Sequence, residues 1–232
     1  MRFMLATGNR HKLGELQKIL APLEVLPMPA WVELPPEDIE SFAGNALGKA
    51  LGLARALAAG QPAAAGAHGV ARTHGAAARA AGQGPADLFC LADDSGLEVE
   101  ALGWAPGVTS ARYAGVDGPG ADAANVARLL REMAGFAGPR ARRARFVCSV
   151  VAVASDMREY AATGYWWGAI ATAPRGEGGF GYDPVFVPEG SDLTVAEWPQ
   201  GDKDQASHRA LAGTALLELL RQEGLLDGGP QH

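Results

Sequence analysis

The run Leu88-Phe89-Cys90-Leu91-Ala92 leads directly into two adjacent carboxylates, Asp93 and Asp94, and then into Ser95-Gly96. Five successive apolar residues leave no side for solvent, so the segment reads as a buried strand. A chain built on such strands needs helices to cover its sheet. Charges delivered at the mouth of a buried strand are costly without a partner. A divalent cation is one such partner, and oxygen-only ligands suit Mg²⁺. Asp-Ser-Gly is equally a common turn composition, and this fragment alone leaves both readings open.

The rest of the chain follows the same alternation. Phe3-Met4-Leu5-Ala6 is a short apolar run ending at Thr7-Gly8-Asn9, a strand and a turn. Leu13, Leu16, Ile19 and Leu20 then recur at helical spacing, and Pro22 closes that helix. A second strand is expected over Glu24 to Met28, followed by a loop rich in Pro and acid over 29–40. Ser41 can cap a helix running to about Ala59. An extended piece is expected over Leu97 to Leu102, and a Gly/Pro-rich loop over 103–120. Ala121 to Met133 is helical by its spacing of Val126, Leu129, Leu130 and Met133. Arg145 to Ala154 and Glu159 to Ile170 read as a long hairpin, and Gln205 to Glu223 as a C-terminal helix. The fold class is α/β. We expect one domain over residues 1–232, with a mixed central sheet flanked by helices and two lobes enclosing a cleft.

Composition narrows the functions. Residues 60–87 hold eleven Ala and six Gly among 28 residues, too little apolar surface to offset ordering. This stretch reads as a flexible insertion, and His68 and His74 within it make poor metal ligands without acidic or thiol neighbours. The net charge of −6 offers no electrostatic footprint for a nucleic acid polymer. No apolar stretch approaches the ~20 residues that span a bilayer, so no membrane association is expected. The first residues contain no apolar leader core, which makes the cytoplasm the default compartment. Cys90 and Cys148 sit in apolar runs and read as buried free thiols.

Four segments can carry chemistry. In Thr7-Gly8-Asn9-Arg10-His11-Lys12, a glycine turn opens a helix whose first N–H groups favour phosphate, with Arg10 and Lys12 adding charge. An ordinary strand–helix turn with a basic surface has the same composition. Asp93-Asp94-Ser95-Gly96 is the second segment. The third is the glycine loop 174–184. Gly176, Gly178 and Gly181 match a dinucleotide fingerprint, but Val185-Phe186-Val187 follow where that motif needs a helix. Phe180 and Tyr182 can instead offer an aromatic face to a nucleobase, or pack on the core. The fourth is Lys203 with Ser207-His208-Arg209, where cations at a helix start are unfavourable unless they face an anionic or carbonyl ligand.

Taken in order, ATGNRHK, DDSG, PGVTSARYAG, GGFGYDPVF and K…SHR resemble the noncanonical purine nucleoside triphosphate pyrophosphatases, the inosine/xanthosine triphosphatase or HAM1-like family. The resemblance spans nearly the whole chain outside the insertion and the tail. It implies hydrolysis of ITP, dITP and XTP to the monophosphate and pyrophosphate by a Mg²⁺-dependent homodimer. It implies that Thr7, Gly8, Asn9, Arg10, His11 and Lys12 contact the triphosphate, and that Lys49 and Ser95 reach the substrate. It implies that Asp94 is the catalytic acid residue and approaches the metal, and that Glu37, twelve residues before Lys49, binds the metal. Phe180, Gly181, Tyr182, Asp183, Lys203, His208 and Arg209 match the base-binding set. One departure stands out: the family often has Glu where this chain has Gly44, so a capping box with Ser41 is missing.

On this reading Glu37 and Asp94, with Asp93 as a further candidate, hold Mg²⁺ on the triphosphate. Arg10, Lys12 and Lys49 neutralise phosphate charge. Arg209 and His208 offer donors to a 6-oxo base and leave adenine's amino group facing another donor. Two alternatives remain at this level. A Maf-like pyrophosphatase would prefer modified pyrimidine nucleotides, and a catalytically silent nucleotide-binding module would bind without releasing pyrophosphate.

Overall fold

The structure, a computed structural model, describes residues 1–37, 39–60 and 87–226. Apart from its two end residues, the Ala/Gly-rich insertion lies outside them, as do His68 and His74. The strands are β1 (Arg2–Leu5), β2 (Glu24–Pro27), β3 (Leu88–Val99), β4 (Arg143–Val153), β5 (Glu159–Ile170) and β6 (Phe186–Pro188). The helices are α1 (Arg10–Ile19), α2 (Phe42–Ala59), α3 (Ala121–Glu132), α4 (Gln200–Ala206) and α5 (His208–Gln222). One six-stranded sheet has the order β2-β1-β3-β4-β5-β6. The expected mixed sheet is therefore present: β2, β1 and β3 are parallel, and β3 to β6 pair antiparallel. The parallel half requires crossovers, which α1 and α2 supply.

Two sequence expectations are corrected. Leu88–Ala92 and Leu97–Leu102 are not separate pieces; β3 runs unbroken from Leu88 to Val99, so Asp93 to Gly96 lie within a strand and not at its mouth. The ladder to β4 supplies the reason, pairing Asp93 with Val150 and Asp94 with Ser149 without interruption. The C-terminal helix is also broken. Ser207 ends α4 and starts α5, its hydroxyl accepting the Ala210 N–H at 3.2 Å. That break places His208 and Arg209 in the first turn of α5.

The core has two faces and one extension. On one face Phe3, Leu5, Phe89 and Leu91 pack against Leu16 and Leu20 of α1 and Ala212, Leu216 and Leu220 of α5. On the other, Cys90, Ala92, Val151 and Val153 pack against Ala46, Ala50 and Leu53 of α2. A further cluster joins Leu97, Val99, Phe146, Trp166 and Phe186 to Val126, Leu129 and Met133. Each large apolar side chain so buried contributes ~1.5–3 kcal/mol. Trp166 belongs to this core, whereas Trp167 is half-buried beneath the Arg143 guanidinium at 4.2 Å. Cys90 and Cys148 are buried and free. Burial pushes their thiols up to about 11 and about 12, so neither is a thiolate near neutrality. Among the described residues no helix is long and apolar enough to cross a membrane.

β1 is much shorter than β3, and this leaves part of one β3 edge unpaired. β1 ends where Leu5 faces Leu91, and the Ala6 N–H closes the pairing onto the Leu91 carbonyl at 2.7 Å. Beyond Leu91 no described strand pairs with β3 on that edge until the 104–110 segment closes it, where Glu98 bridges Pro106 and the Val99 N–H donates to the Ala105 carbonyl at 3.1 Å. The chain after β1 turns into α1 beside this free edge, at the carboxyl end of a parallel strand, where α/β sheets bind ligands.

α5 lies against β5 at Gly164, where a β-carbon would meet the His208 carbonyl and stand 2.5 Å from the Ala212 nitrogen. Backbone cannot yield as a side-chain tip can. We expect Gly164→Ala to cost ~1–3 kcal/mol by overpacking, read as a lower urea midpoint. An unchanged midpoint would mean that α5 is not seated as described.

Candidate active site

Side chains alternate along a strand, so adjacent residues of β3 point to opposite faces. Asp94 faces α2. Its Oδ2 accepts from Asn45 Nδ2 at 3.0 Å, and its Oδ1 lies 3.7 Å from Lys49 Nζ. Asn45 and Lys49 are four apart on α2 and so share a face. Lys49 Nζ also donates to Glu37 Oε1 and to the Asp93 main-chain carbonyl, both at 2.6 Å. Burial opposes charge on Lys49, but the Glu37 bond and the Asp93 and Asp94 charges hold its pKa above the usual value. Burial raises Asp94, Lys49 opposes the rise, and the Glu37 charge adds to it; the net shift is upward.

Asp93 faces the other way, into the space between α1 and α5, at 1% exposure. Its Oδ2 lies 3.0 Å from Lys12 Nζ and 3.2 Å from Arg209 Nε. Arg209, equally buried, also pairs with Glu15 and donates to Ser95 Oγ at 3.0 Å. Burial alone would raise Asp93, but Lys12, Arg209 and Lys49 outweigh it and hold the carboxyl well below its usual range. Asp93 as a further ligand beside Asp94 is thus corrected. The strand repeat sends the two acids apart, and Asp93 is already neutralised. The expectation of an open donor surface at Arg209 is revised as well. Three of its five guanidinium hydrogens serve Asp93, Glu15 and Ser95.

The turn before α1 is arranged differently from a bare helix start. Asn9 is the cap, and its Oδ1 accepts the His11 and Lys12 N–H groups at 2.9 and 3.3 Å. Thr7 Oγ1 accepts the Asn9 N–H at 3.1 Å. Those amides are occupied by protein oxygens, while the Arg10 and His11 side chains stay exposed. No described atom lies within 4 Å of a β-carbon built at Gly8, so the protein's own packing does not demand glycine there.

The glycine loop comes back to α1. The exposed Phe180 ring lies beneath Lys203 Nζ at 4.2 Å and beside the His11 ring at 6.1 Å. Asp183 is buried, accepts from Lys203 Nζ at 2.5 Å, and accepts the Phe180 N–H at 2.9 Å. Gly179 has a φ of +74°, and a β-carbon there would collide with the Asp183 carboxylate, so this turn requires glycine. The Gly181 N–H donates to Asp122 at 2.7 Å, and the buried Tyr182 hydroxyl donates to the Ser110 carbonyl at 2.9 Å. Tyr182 therefore anchors the loop, and Phe180 is the ring left for a ligand. His208 stacks on Phe146 at 4.8 Å, and its buried Nδ1 has no hydrogen-bond partner among the described residues.

The structure thus brings together Lys12, Asp93, Ser95 and Arg209 on one face of β3, and Glu37, Lys49 and Asp94 on the other. Phe180, Lys203, Asp183 and His11 form a third group beside α1. Sequence reasoning missed three participants. Asn45 carries a legible signal, a polar residue four before Lys49 in a helix of Ala and Leu. Glu15 lies three after Lys12, outside the apolar stripe of Leu13, Leu16 and Leu20. Arg112 lies within the PGVTSARYAG segment of the resemblance and donates to the Glu37 main-chain carbonyl at 3.2 Å.

Among the described residues no three His, Cys, Asp or Glu side chains cluster as a metal cage. The Glu37–Lys49–Asp94 trio still suits a hard cation. Two carboxylates converge on one ammonium, leaving one negative charge uncompensated by a buried cation. Mg²⁺ is commonly held by one or two carboxylates together with substrate phosphates. Four charges on the opposite face, Lys12, Arg209, Asp93 and Glu15, already cancel.

Burial first, and then the Arg209 and Lys203 charges, keep His208 well below 6.5, so the folded protein holds it neutral. The unfolded chain takes up that proton near pH 6.5. This contribution to stability is therefore full above pH 6.5 and is lost as the pH falls below it. We expect the urea midpoint to drop between pH 7.5 and 5.5, and His208→Gln to flatten the drop. Identical slopes for both proteins would remove His208 from the account.

A profile of the Ham1 family matches residues 3–219. A dITP/XTP pyrophosphatase of Ralstonia nicotianae is 42% identical over 226 residues, covering 95% of this chain and 96% of that one. One of Mycobacterium tuberculosis is 40% identical over 227 residues, covering 95% of each. Among solved structures, the Staphylococcus aureus Ham1 protein superposes with a TM-score of 0.74 at 31% identity, covering 96% of this chain and all of that one. With residues 3–219 matched and relatives at this identity along nearly its full length, the chain belongs to the Ham1 family.

Proposed function

We propose that this protein hydrolyses noncanonical purine nucleoside triphosphates, among them ITP, dITP and XTP, to the monophosphate and pyrophosphate. The relatives named dITP/XTP pyrophosphatase support the reading. One observation carries it to the site. At the free edge of β3, buried cations lie on both faces of a single strand position, and an aromatic ring stands beside α1. A triphosphate needs the first and a nucleobase the second.

The mechanism follows from that arrangement. Lys12 and Lys49 are desolvated and held by acids before substrate arrives, so their charge needs little reorganisation to face phosphate oxygens. Exposed Arg10 adds charge at the mouth of the turn. Glu37 and Asp94 would hold Mg²⁺, which when bound supplies positive charge to the phosphates. Asp94 orients a water and accepts its proton during in-line attack. Pyrophosphate leaves. At the other end the base stacks on Phe180. The Lys203 ammonium, His208 and the two guanidinium hydrogens of Arg209 not engaged above favour a 6-oxo group over adenine's amino group. Action as a homodimer rests on the family resemblance.

A pyrophosphate-release assay with ITP, XTP, dITP, GTP, ATP and UTP, with and without Mg²⁺, tests the reading. We expect ITP, dITP and XTP to exceed ATP by powers of ten in kcat/KM, and the rate to vanish without the cation. Equal efficiency with ATP would end the donor argument, and preference for UTP would favour a Maf-like activity. Asp94→Asn should lower kcat ~10²-fold or more with the fold intact; near-normal turnover would strip Asp94 of its role.

A further inference from the structure

Asn45 is 3% exposed and uses both ends of its carboxamide. Nδ2 donates to Asp94 Oδ2 at 3.0 Å, and Oδ1 accepts the Ile39 N–H at 3.1 Å. Ile39 follows Glu37 by two residues. One side chain therefore grips the carboxylate of Asp94 on β3 and the backbone of the loop that carries Glu37.

Two features bear on this grip. Asn is a poor residue for a helix interior, and its neighbours on α2 are Ala, Leu and Gly. A β-carbon at Gly44 would stand 2.6 Å from Ile39 Cγ2 and 2.7 Å from Ser41 Oγ. Glycine at position 44 thus gives Ile39 the room in which its N–H meets Asn45. The Ser41 cap survives without that Glu, its Oγ accepting the Gly44 N–H at 3.1 Å.

We infer that Asn45 is a positioning residue for the reaction. It fixes Asp94 and the Glu37 loop relative to each other. By occupying Asp94 Oδ2 it leaves Oδ1, the oxygen facing Lys49, as the one that acts. This rests on the roles given above to Asp94 and Glu37.

The test compares Asn45→Ala and Asn45→Asp with the wild-type protein, and uses Leu57→Ala on the same helix as a packing control. Asn45→Asp keeps the shape and the acceptor for Ile39 but lacks the amide donor. For both Asn45 variants we expect kcat to fall about tenfold or more. KM for ITP at saturating Mg²⁺ should stay within about twofold of wild type, and Mn²⁺ binding to the nucleotide-free protein, followed by electron paramagnetic resonance, should weaken. Leu57→Ala should lose stability at unchanged kcat. Wild-type kcat in Asn45→Asp overturns the inference, as does an equal loss of kcat in Leu57→Ala. If wild-type turnover proves indifferent to Mg²⁺, the cation reading fails, and the kcat-against-KM split still judges Asn45.

Discussion

Everything at this site depends on the two-residue repeat of one strand. Because β3 does not turn after Ala92, Asp93 and Asp94 cannot act as a pair. One enters the space between α1 and α5, and the other the space under α2. Adjacent carboxylates that would repel on one face become the organising charges of two separate networks. The same strand carries the signal between them, since Lys49 on the α2 side bonds to the main-chain carbonyl of Asp93.

The two networks differ in charge balance, and this difference assigns their roles. Around Asp93 two acids meet two cations, and the group is buried and neutral. Ion clusters of this kind contribute little net stability over an apolar core, but they are costly to break once one member is lost. Such a cluster sets geometry: it ties α1, β3 and α5 together through Lys12, Asp93, Glu15 and Arg209. Around Asp94 two acids meet one buried cation. Burial, and after it the Glu37 charge, raise Asp94, and the excess of negative charge marks the face able to accept a further positive charge.

The architecture was largely legible from apolar spacing. Runs at Phe3–Ala6 and Leu88–Ala92 and the hairpin at 145–170 all became strands of one sheet, and the spacing of Leu13, Leu16 and Leu20 became α1. Errors fell where local chemistry mimics something else. Asp93-Asp94-Ser95-Gly96 has turn composition, and only the ladder to β4 keeps it extended. Gln205 to Glu223 has an unbroken helical composition, and only the Ser207 cap, local and modest in energy, divides it. The site was legible as residues but not as partnerships. Arg209 and Glu15 are 194 apart in sequence, and no spacing rule could couple them.

Those partnerships bear on how recognition is linked to chemistry. On the proposed function Lys12 meets the phosphates and Arg209 faces the base, yet both lean on the same oxygen of Asp93. An anion that draws Lys12 toward itself leaves Asp93 dependent on Arg209 alone, inside a region where an unpaired charge is costly. Arg209 would then be held more firmly against β3 just as the phosphates are engaged. On that function the groups meeting the two ends of the substrate share one buried carboxylate. The link needs Asp93 ionised, and its cationic surroundings favour this by holding the carboxyl well below its usual range.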